Sequence, residues 1–178
     1  MLMNFAKVSI IMGSDSDLSI MQNAMKFLDK MNIKYEIHIL SVHRNPEEAI
    51  RYAKEIQSKN IQVIIAGAGG AAHLPGIFAA YCDVPVIGVP IETKSLNGVD
   101  SLYSIVQMPS GIPVATVGIN NSKNAAILAT KIIALNNANV QESLANYKRE
   151  LKESVSTKNE KINKIGYKQY LKEMEKFK

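Results

Sequence analysis

The sequence predicts an α/β protein, in which a parallel β-sheet carries helices on both faces and a helical tail follows. Three observations lead there. Short β-branched apolar runs alternate with stretches of helix-spaced apolar residues from residue 8 to residue 135, and neighbouring parallel strands need such crossover helices between them. Runs such as Val63-Ile64-Ile65 are continuously apolar, as strands buried on both faces are. Polar and glycine-rich residues gather directly after three of the strand runs, at the carboxyl edge where open α/β sheets hold ligands.

The first strand is Val8-Ser9-Ile10-Ile11-Met12, and a helix follows over residues 18–31 with Leu18, Met21, Met25 and Leu28 on its packed face. Between them stands Gly13-Ser14-Asp15-Ser16-Asp17. Serine and aspartate cap helices by accepting from free N–H groups, but one cap needs only one such residue. Four in a row suit a nucleotide or sugar-phosphate site, with Ser14 and Ser16 donating to phosphate and one of the aspartates gripping ribose hydroxyls. The second strand covers residues 35–40, and Ser41-Val42-His43-Arg44-Asn45 follows it at once. Asn45-Pro46-Glu47-Glu48 starts a helix running to about residue 59, with an N-cap, a first-turn proline and first-turn acids. His43 and Arg44 are thus presented at a strand end. Histidine moves protons near neutral pH, and arginine grips phosphate with two parallel donors. His38 lies inside the strand pattern and reads as structural.

The third strand opens Val63-Ile64-Ile65-Ala66-Gly67-Ala68-Gly69-Gly70-Ala71-Ala72-His73-Leu74-Pro75-Gly76. Its turn carries almost no side chain, so another group can approach the main chain closely, and His73 is the first functional side chain beyond it. Tight strand-to-helix packing would use the same residues. So would the loose dinucleotide fingerprint Gly67-x-Gly69-x-x-Ala72, with Glu92 as its ribose acid.

A helix over residues 74–82 ends at Cys82, the sole cysteine, expected as a buried structural thiol. A fourth strand covers residues 84–90, and Asn97-Gly98 turns the chain. Asp100 or Ser101 then caps a helix over residues 102–107. Residues 114–117 form a fifth strand, and Asn121-Ser122 caps a helix to about residue 135. Leu144, Tyr147 and Leu151 mark a helical stripe, residues 155–161 read as a linker, and residues 162–177 resume a lysine-rich helix. The expected organisation is an α/β domain over residues 1–140 and a helical tail over 141–178, docked on the domain or on a neighbouring subunit.

Bulk composition narrows the function classes. With 178 residues, 47% hydrophobic and 21% charged, the chain suits one well-filled domain and is too short for a two-domain dehydrogenase. The net charge of +5 is uneven. Residues 1–140 hold 11 Lys/Arg against 10 Asp/Glu, and residues 141–178 hold 10 against 6, so the basicity is a solvated tail face and nucleic acid is not an expected partner. No Cys-based metal cluster is available. No run reaches the ~20 apolar residues of a membrane span. The first residues lack the plan of a signal peptide, so no membrane association and a cytoplasmic location are expected.

Four motifs together carry a resemblance over residues 8–151. They are Met12-Gly13-Ser14-Asp15-Ser16-Asp17, Ser41-Val42-His43-Arg44-Asn45-Pro46, Ala66 through Gly76, and Asp100-Ser101-Leu102-Tyr103-Ser104-Ile105-Val106-Gln107-Met108-Pro109-Ser110-Gly111. With them the chain resembles the N5-carboxyaminoimidazole ribonucleotide mutases, the PurE type of phosphoribosylaminoimidazole carboxylase in de novo purine synthesis. The resemblance implies a flavodoxin-like three-layer αβα sandwich, a homo-octamer with sites at subunit contacts, and neither metal nor organic cofactor. It implies that the N5-carboxylate of the ribonucleotide N5-CAIR leaves as CO2 and is re-added at C4. Carried over by motif, Ser14, Asp17 and Arg44 bind the ribonucleotide, with Ser16 and Ser41 beside them. His43 is the acid/base, and His73 with the Gly69-Gly70 backbone shapes the CO2 pocket, so Gly70→Val is expected to stop activity by filling it. The chain departs from the family pattern at Val42 and Asn45, where alanine and threonine are usual, and at Leu18, where tryptophan is usual and leucine is still expected to pack. The alternatives are a direct CO2-dependent carboxylase of aminoimidazole ribonucleotide and, from another class, a dinucleotide-binding oxidoreductase.

Overall fold

The structure is a computed structural model that describes residues 7–175. The residues read against a signal peptide, up to residue 6, and the last two residues of the expected 162–177 helix lie outside the described residues. Five strands form one parallel sheet: β1 (Val8–Met12), β2 (Tyr35–Ile39), β3 (Val63–Gly69), β4 (Val86–Ile91) and β5 (Ala115–Thr116). Their order, β2-β1-β3-β4-β5, is that of a flavodoxin-like doubly wound sheet. β1, β3 and β4 are buried almost throughout, as their unbroken apolar runs require. β2 lies at one edge and leaves Ile37 and Ile39 exposed.

Register decides where the loops meet. Met12 pairs with Ile39 on one side and with Gly67 on the other. The chain therefore leaves β1, β2 and β3 close together at the carboxyl edge, on either side of the β1/β3 position where the winding direction reverses. Sheets of this kind bind ligands there.

Helices α1 (Leu18–Lys30) and α5 (Ser122–Ala134) cover one face, joined where Ser122 Oγ donates to the Ile20 carbonyl at 2.6 Å. The opposite face carries α2 (Pro46–Glu55), α3 (Leu74–Tyr81) and α4 (Val99–Val106), whose Ala49, Ala53, Phe78 and Ile105 pack on Ile11, Ile64 and Ala66. Alternate residues of each strand thus feed opposite cores. α4 lies so close to β4 that a β-carbon at Gly88 would collide with Ile105 and meet Val114 at 3.0 Å. Gly88→Ala should therefore lower stability by about 1–3 kcal/mol through overpacking, read as a reduced denaturation midpoint. An unchanged midpoint would show that α4 can move away.

Several local expectations are corrected. A 3-10 turn, Asp15–Asp17, precedes α1, and it turns Leu18 outward to 46% exposure instead of packing it. Gly98, at φ 84°, stands at the N-cap of α4, so neither Asp100 nor Ser101 caps it. β5 shortens to two residues. The expected linker at residues 155–161 is helical, within α6 (Ala138–Ile165). Apolar spacing reports what covers a helix, whereas that segment lacks only a covered face and contains neither Gly nor Pro. The break falls at Gly166, φ 75°, before α7 (Tyr167–Glu175).

The chain divides into two compact units, Met1–Val140 and Gln141–Lys178. In the second, Lys161 Nζ meets Glu173 at 2.5 Å, tying α7 back to α6. Among the described residues no helix is long and apolar enough to cross a membrane.

Candidate active site

A cavity of about 360 Å³ opens at the carboxyl edge of the sheet, and the segments after β1, β2, β3 and β4 all line it. Ser14, Ser16, Asp17, Ser41, His43, Arg44, Gly69 and His73 all face it. Ser14 caps the short turn that follows it, accepting from the Ser16 N–H, and its hydroxyl also donates to Asp15 at 3.1 Å. Asp17 is the buried carboxylate of the site. Burial pushes its pKa up, and the nearby charge of Asp15 adds to this. Hydrogen bonds from Ser16 and from the backbone of Ser14 and Gly13 oppose the rise. Arg44 folds back over the first loop, with Nη2 donating to the Gly13 carbonyl and Nε to Ser41 Oγ, each at 3.3 Å. The guanidinium is thereby held between two of the loops. Asn45 caps α2, accepting from the Glu48 N–H, and donates to the Glu48 carboxylate at 2.6 Å, which fixes the chain just past His43.

His43 and His73, thirty residues apart in sequence, meet edge to face. Their ring centroids are 4.9 Å apart at 81°, and His43 Nε2 lies 2.8 Å from His73 Nδ1. Such a contact requires that one of the two nitrogens carry hydrogen and the other not. The two imidazoles therefore share one proton position between them, and the tautomer of either sets that of the other. His38, in contrast, lies against Tyr52 with ring centroids 4.3 Å apart and the planes tilted by 43°, a packing contact of β2 on α2. Cys82 is buried, and its thiol donates to the Phe78 carbonyl at 3.1 Å, so burial first of all holds its pKa up.

Gly70 stands at the apex of the glycine turn with φ 67°. Its neighbours Gly69 and Ala71 line the cavity. A β-carbon built on Gly70 meets nothing within 4 Å and Gly70 is not among the residues lining the cavity, so a larger residue there is not expected to fill it. What it would do is strain the backbone. The expectation for Gly70→Val thus keeps its direction and changes its cause.

Comparison with known proteins places the chain in a family. A family described as AIR carboxylase matches residues 7–154. This chain belongs to the AIR carboxylase family. An N5-carboxyaminoimidazole ribonucleotide mutase of Pyrococcus horikoshii is 54% identical over 93% of this chain and 94% of its own. That of Thermotoga maritima is 52% identical over 95% and 99%. A phosphoribosylaminoimidazole carboxylase of Schizosaccharomyces pombe is 52% identical over 92% of this chain, which spans only 30% of that longer protein. Among solved structures, a PurE of Treponema denticola superposes with a TM-score of 0.79 at 30% identity, over 89% of this chain and 98% of its own.

AIR carboxylase membership removes support from the dinucleotide reading, and so does topology. The fingerprint belongs to the first strand-to-helix turn of a sheet ordered 3-2-1-4-5-6, whereas Gly67 lies inside β3 with a β-carbon position only 2.6 Å from Met21 Sδ. That glycine serves the close approach of α1.

The cavity also contains one residue that the sequence reading passed over and one that it read only as the acid of a dinucleotide fingerprint. Thr93, just beyond β4, lines the cavity and donates to both Asp100 oxygens at 2.9 and 2.8 Å. Glu92 lines it too, held by Asn120 through both its N–H and its carboxylate at 2.9 Å each. The rule that ligands gather beyond strand ends could have found both had it been applied to β4 as well. A second hollow of about 600 Å³ shares Asp17, Glu92 and Thr93 with the first and adds Lys94.

The raised Asp17 pKa has a consequence for stability. A carboxyl that binds its proton more tightly when folded contributes stability at low pH and loses it as pH rises from 3.8 through the raised folded value. Asp17→Asn does not titrate, so its stability relative to the parent should climb across that window. Denaturant titrations over a pH series would reveal this, and parallel pH profiles would contradict it.

Proposed function

We propose that the chain is an N5-carboxyaminoimidazole ribonucleotide mutase, an isomerase of purine biosynthesis. The observation that carries the reading is the His43–His73 pair at the mouth of a cavity walled by Gly69, Ala71 and Ala72. The relatives that this chain matches almost end to end bear that activity's name. The relatives named as carboxylases contain a matching segment within a longer chain.

The chemistry asks for one proton carrier and a closed space. In the first half, the N5–carboxyl bond breaks, its electron pair stays on N5, N5 takes the proton of His43, and CO2 is released into the cavity. In the second half, the C4=C5 electron pair attacks CO2 and a C4–carboxyl bond forms. His43, now neutral, removes the C4 proton, and ring aromaticity returns. The proton account closes on one imidazole, as histidine's protonation range permits. His73 holds His43 in position through the shared N–H···N contact and, with the Gly69-Gly70 backbone, bounds the CO2 space. Small side chains leave room for CO2 while excluding bulk water.

Ser14, Ser16, Ser41 and Arg44 supply donors for the phosphate, and Asp17 accepts from ribose hydroxyls. The exposure of His43, His73 and Arg44 in a single chain leaves room for a neighbouring subunit to close the site, as in the homo-octamer that the family resemblance implies. Residues 1–140 then form the mutase domain, and residues 141–178 a tail that docks on it or on a neighbour. A cytoplasmic location fits a pathway enzyme.

Conversion of N5-CAIR to its C4-carboxylated isomer in bicarbonate-free buffer, run beside aminoimidazole ribonucleotide plus bicarbonate, tests the reading. Fast conversion of the first alone is expected. The reverse pattern would assign the direct carboxylase, with the same residues doing different work.

A further inference from the structure

Two serines outside the cavity hold the glycine turn from behind. Ser101, in α4, is fully buried, and its hydroxyl donates to the Ile91 carbonyl at 2.6 Å. A hydroxyl has a single hydrogen, so with that donation fixed the oxygen can only accept from the Gly70 N–H, which it does at 2.9 Å. One side chain thus ties the last residue of β4 to the apex of the turn after β3. Ser104, one helical turn on, reaches the other side of the same glycine. Its hydroxyl lies 3.2 Å from the Gly70 carbonyl and 2.9 Å from the Asp100 carbonyl of its own helix, so two acceptors share its one hydrogen.

A serine at a fully buried helix position is hard to explain by packing alone. Alanine would fit a helix better, and a buried hydroxyl is tolerated because it satisfies buried backbone groups. Helical serines commonly bond back to their own helix. Ser101 does not; its hydroxyl serves two other segments, both of which line the cavity. At φ 67° the turn keeps a backbone contact, the Ala72 N–H donating to the Gly70 carbonyl at 2.8 Å, whereas the Gly70 N–H is held by Ser101.

We infer that Ser101, assisted by Ser104, is a positioning residue that clamps the Gly70 peptide and so keeps the wall of the CO2 space closed during the reaction. The inference rests on the mutase reading. Between the two half-reactions the enzyme holds free CO2 beside aminoimidazole ribonucleotide, and a loosened wall lets CO2 leave before C4 attacks it. The clamp therefore acts on partition. Ser101→Ala leaves the Gly70 N–H without its acceptor, while Arg44, Ser14 and Asp17 still bind the nucleotide. Ser104→Ala withdraws the weaker, shared contact and leaves its helix intact.

The experiment follows both products from N5-CAIR in bicarbonate-free buffer, with a trap for released CO2, in the parent, Ser101→Ala and Ser104→Ala. In Ser101→Ala the ratio of aminoimidazole ribonucleotide to C4-carboxylated product is expected to rise about tenfold, the scale of one lost hydrogen bond of ~1.4 kcal/mol, with KM within about twofold. Ser104→Ala should shift the ratio in the same direction and by less. Hydrogen exchange at the Gly70 amide reads the clamp without catalysis, and faster exchange is expected in Ser101→Ala while the core amides keep their protection. An unchanged product ratio in both folded variants overturns the inference, as does unchanged Gly70 exchange. Conversion by the parent enzyme tests the mutase reading on its own, so failure of the reading and failure of the clamp are told apart.

Discussion

Replacing His43 with alanine is expected to lower conversion of N5-CAIR by roughly 10²- to 10⁴-fold, the range of a lost general acid/base, while nucleotide binding stays within a few-fold of the parent. The two effects separate because the groups do. Arg44 is held by the Gly13 carbonyl and Ser41, and Asp17 by its own loop, and none of these contacts passes through the imidazole. The partner left behind, His73, is exposed, so its Nδ1 turns to water at small cost. Stopped-assay kinetics beside calorimetric titration of the ribonucleotide would check this. Joint loss of binding and turnover would instead make His43 an anchor of its loop, with the proton carried elsewhere.

Gly70→Val should reduce turnover by more than about tenfold, and the cause is backbone strain rather than bulk. A residue with a β-carbon at φ 67° costs about 1–2 kcal/mol, and a β-branched one more, because its stiff side chain crowds the carbonyl. The turn relieves that strain by rotating, which pulls the Gly70 N–H from Ser101 and its carbonyl from Ser104. Gly70→Asn distinguishes the two causes. Asparagine is close to valine in size but tolerates the left-handed region, so it should keep much of the activity that valine loses. Equal losses in the two variants would restore pocket filling as the explanation.

The His43 prediction could be made from residues alone, and the cause in the Gly70 one could not. His43-Arg44 directly after an apolar run, and Ser14 to Asp17 directly after another, were legible because an α/β sheet delivers every strand end to one edge. Leu18 was misjudged because the 3-10 turn rotates the start of α1, a shift of one short turn that helical spacing does not encode. Residues 155–161 were misjudged because a helix without a covered face shows no apolar period. Thr93 went unassigned, Glu92 was read only as a dinucleotide acid and Ser101 only as a helix cap, because each acts through a partner from another element: Asp100, Asn120 or Gly70.

By itself, then, the sequence determined the class of fold, the edge on which the candidate site lies and most of the side chains that line it. Those properties follow from local pattern, since continuous apolar runs, caps and bare turns are written in neighbouring residues. Tertiary structure alone decided that His43 meets His73 at 2.8 Å, that Gly70 is gripped from α4, and that Asp17 is buried enough to hold its proton more tightly. Each of these depends on strand register and helix approach, which bring together residues thirty or more positions apart, or on how deeply the closed fold excludes water from one carboxylate.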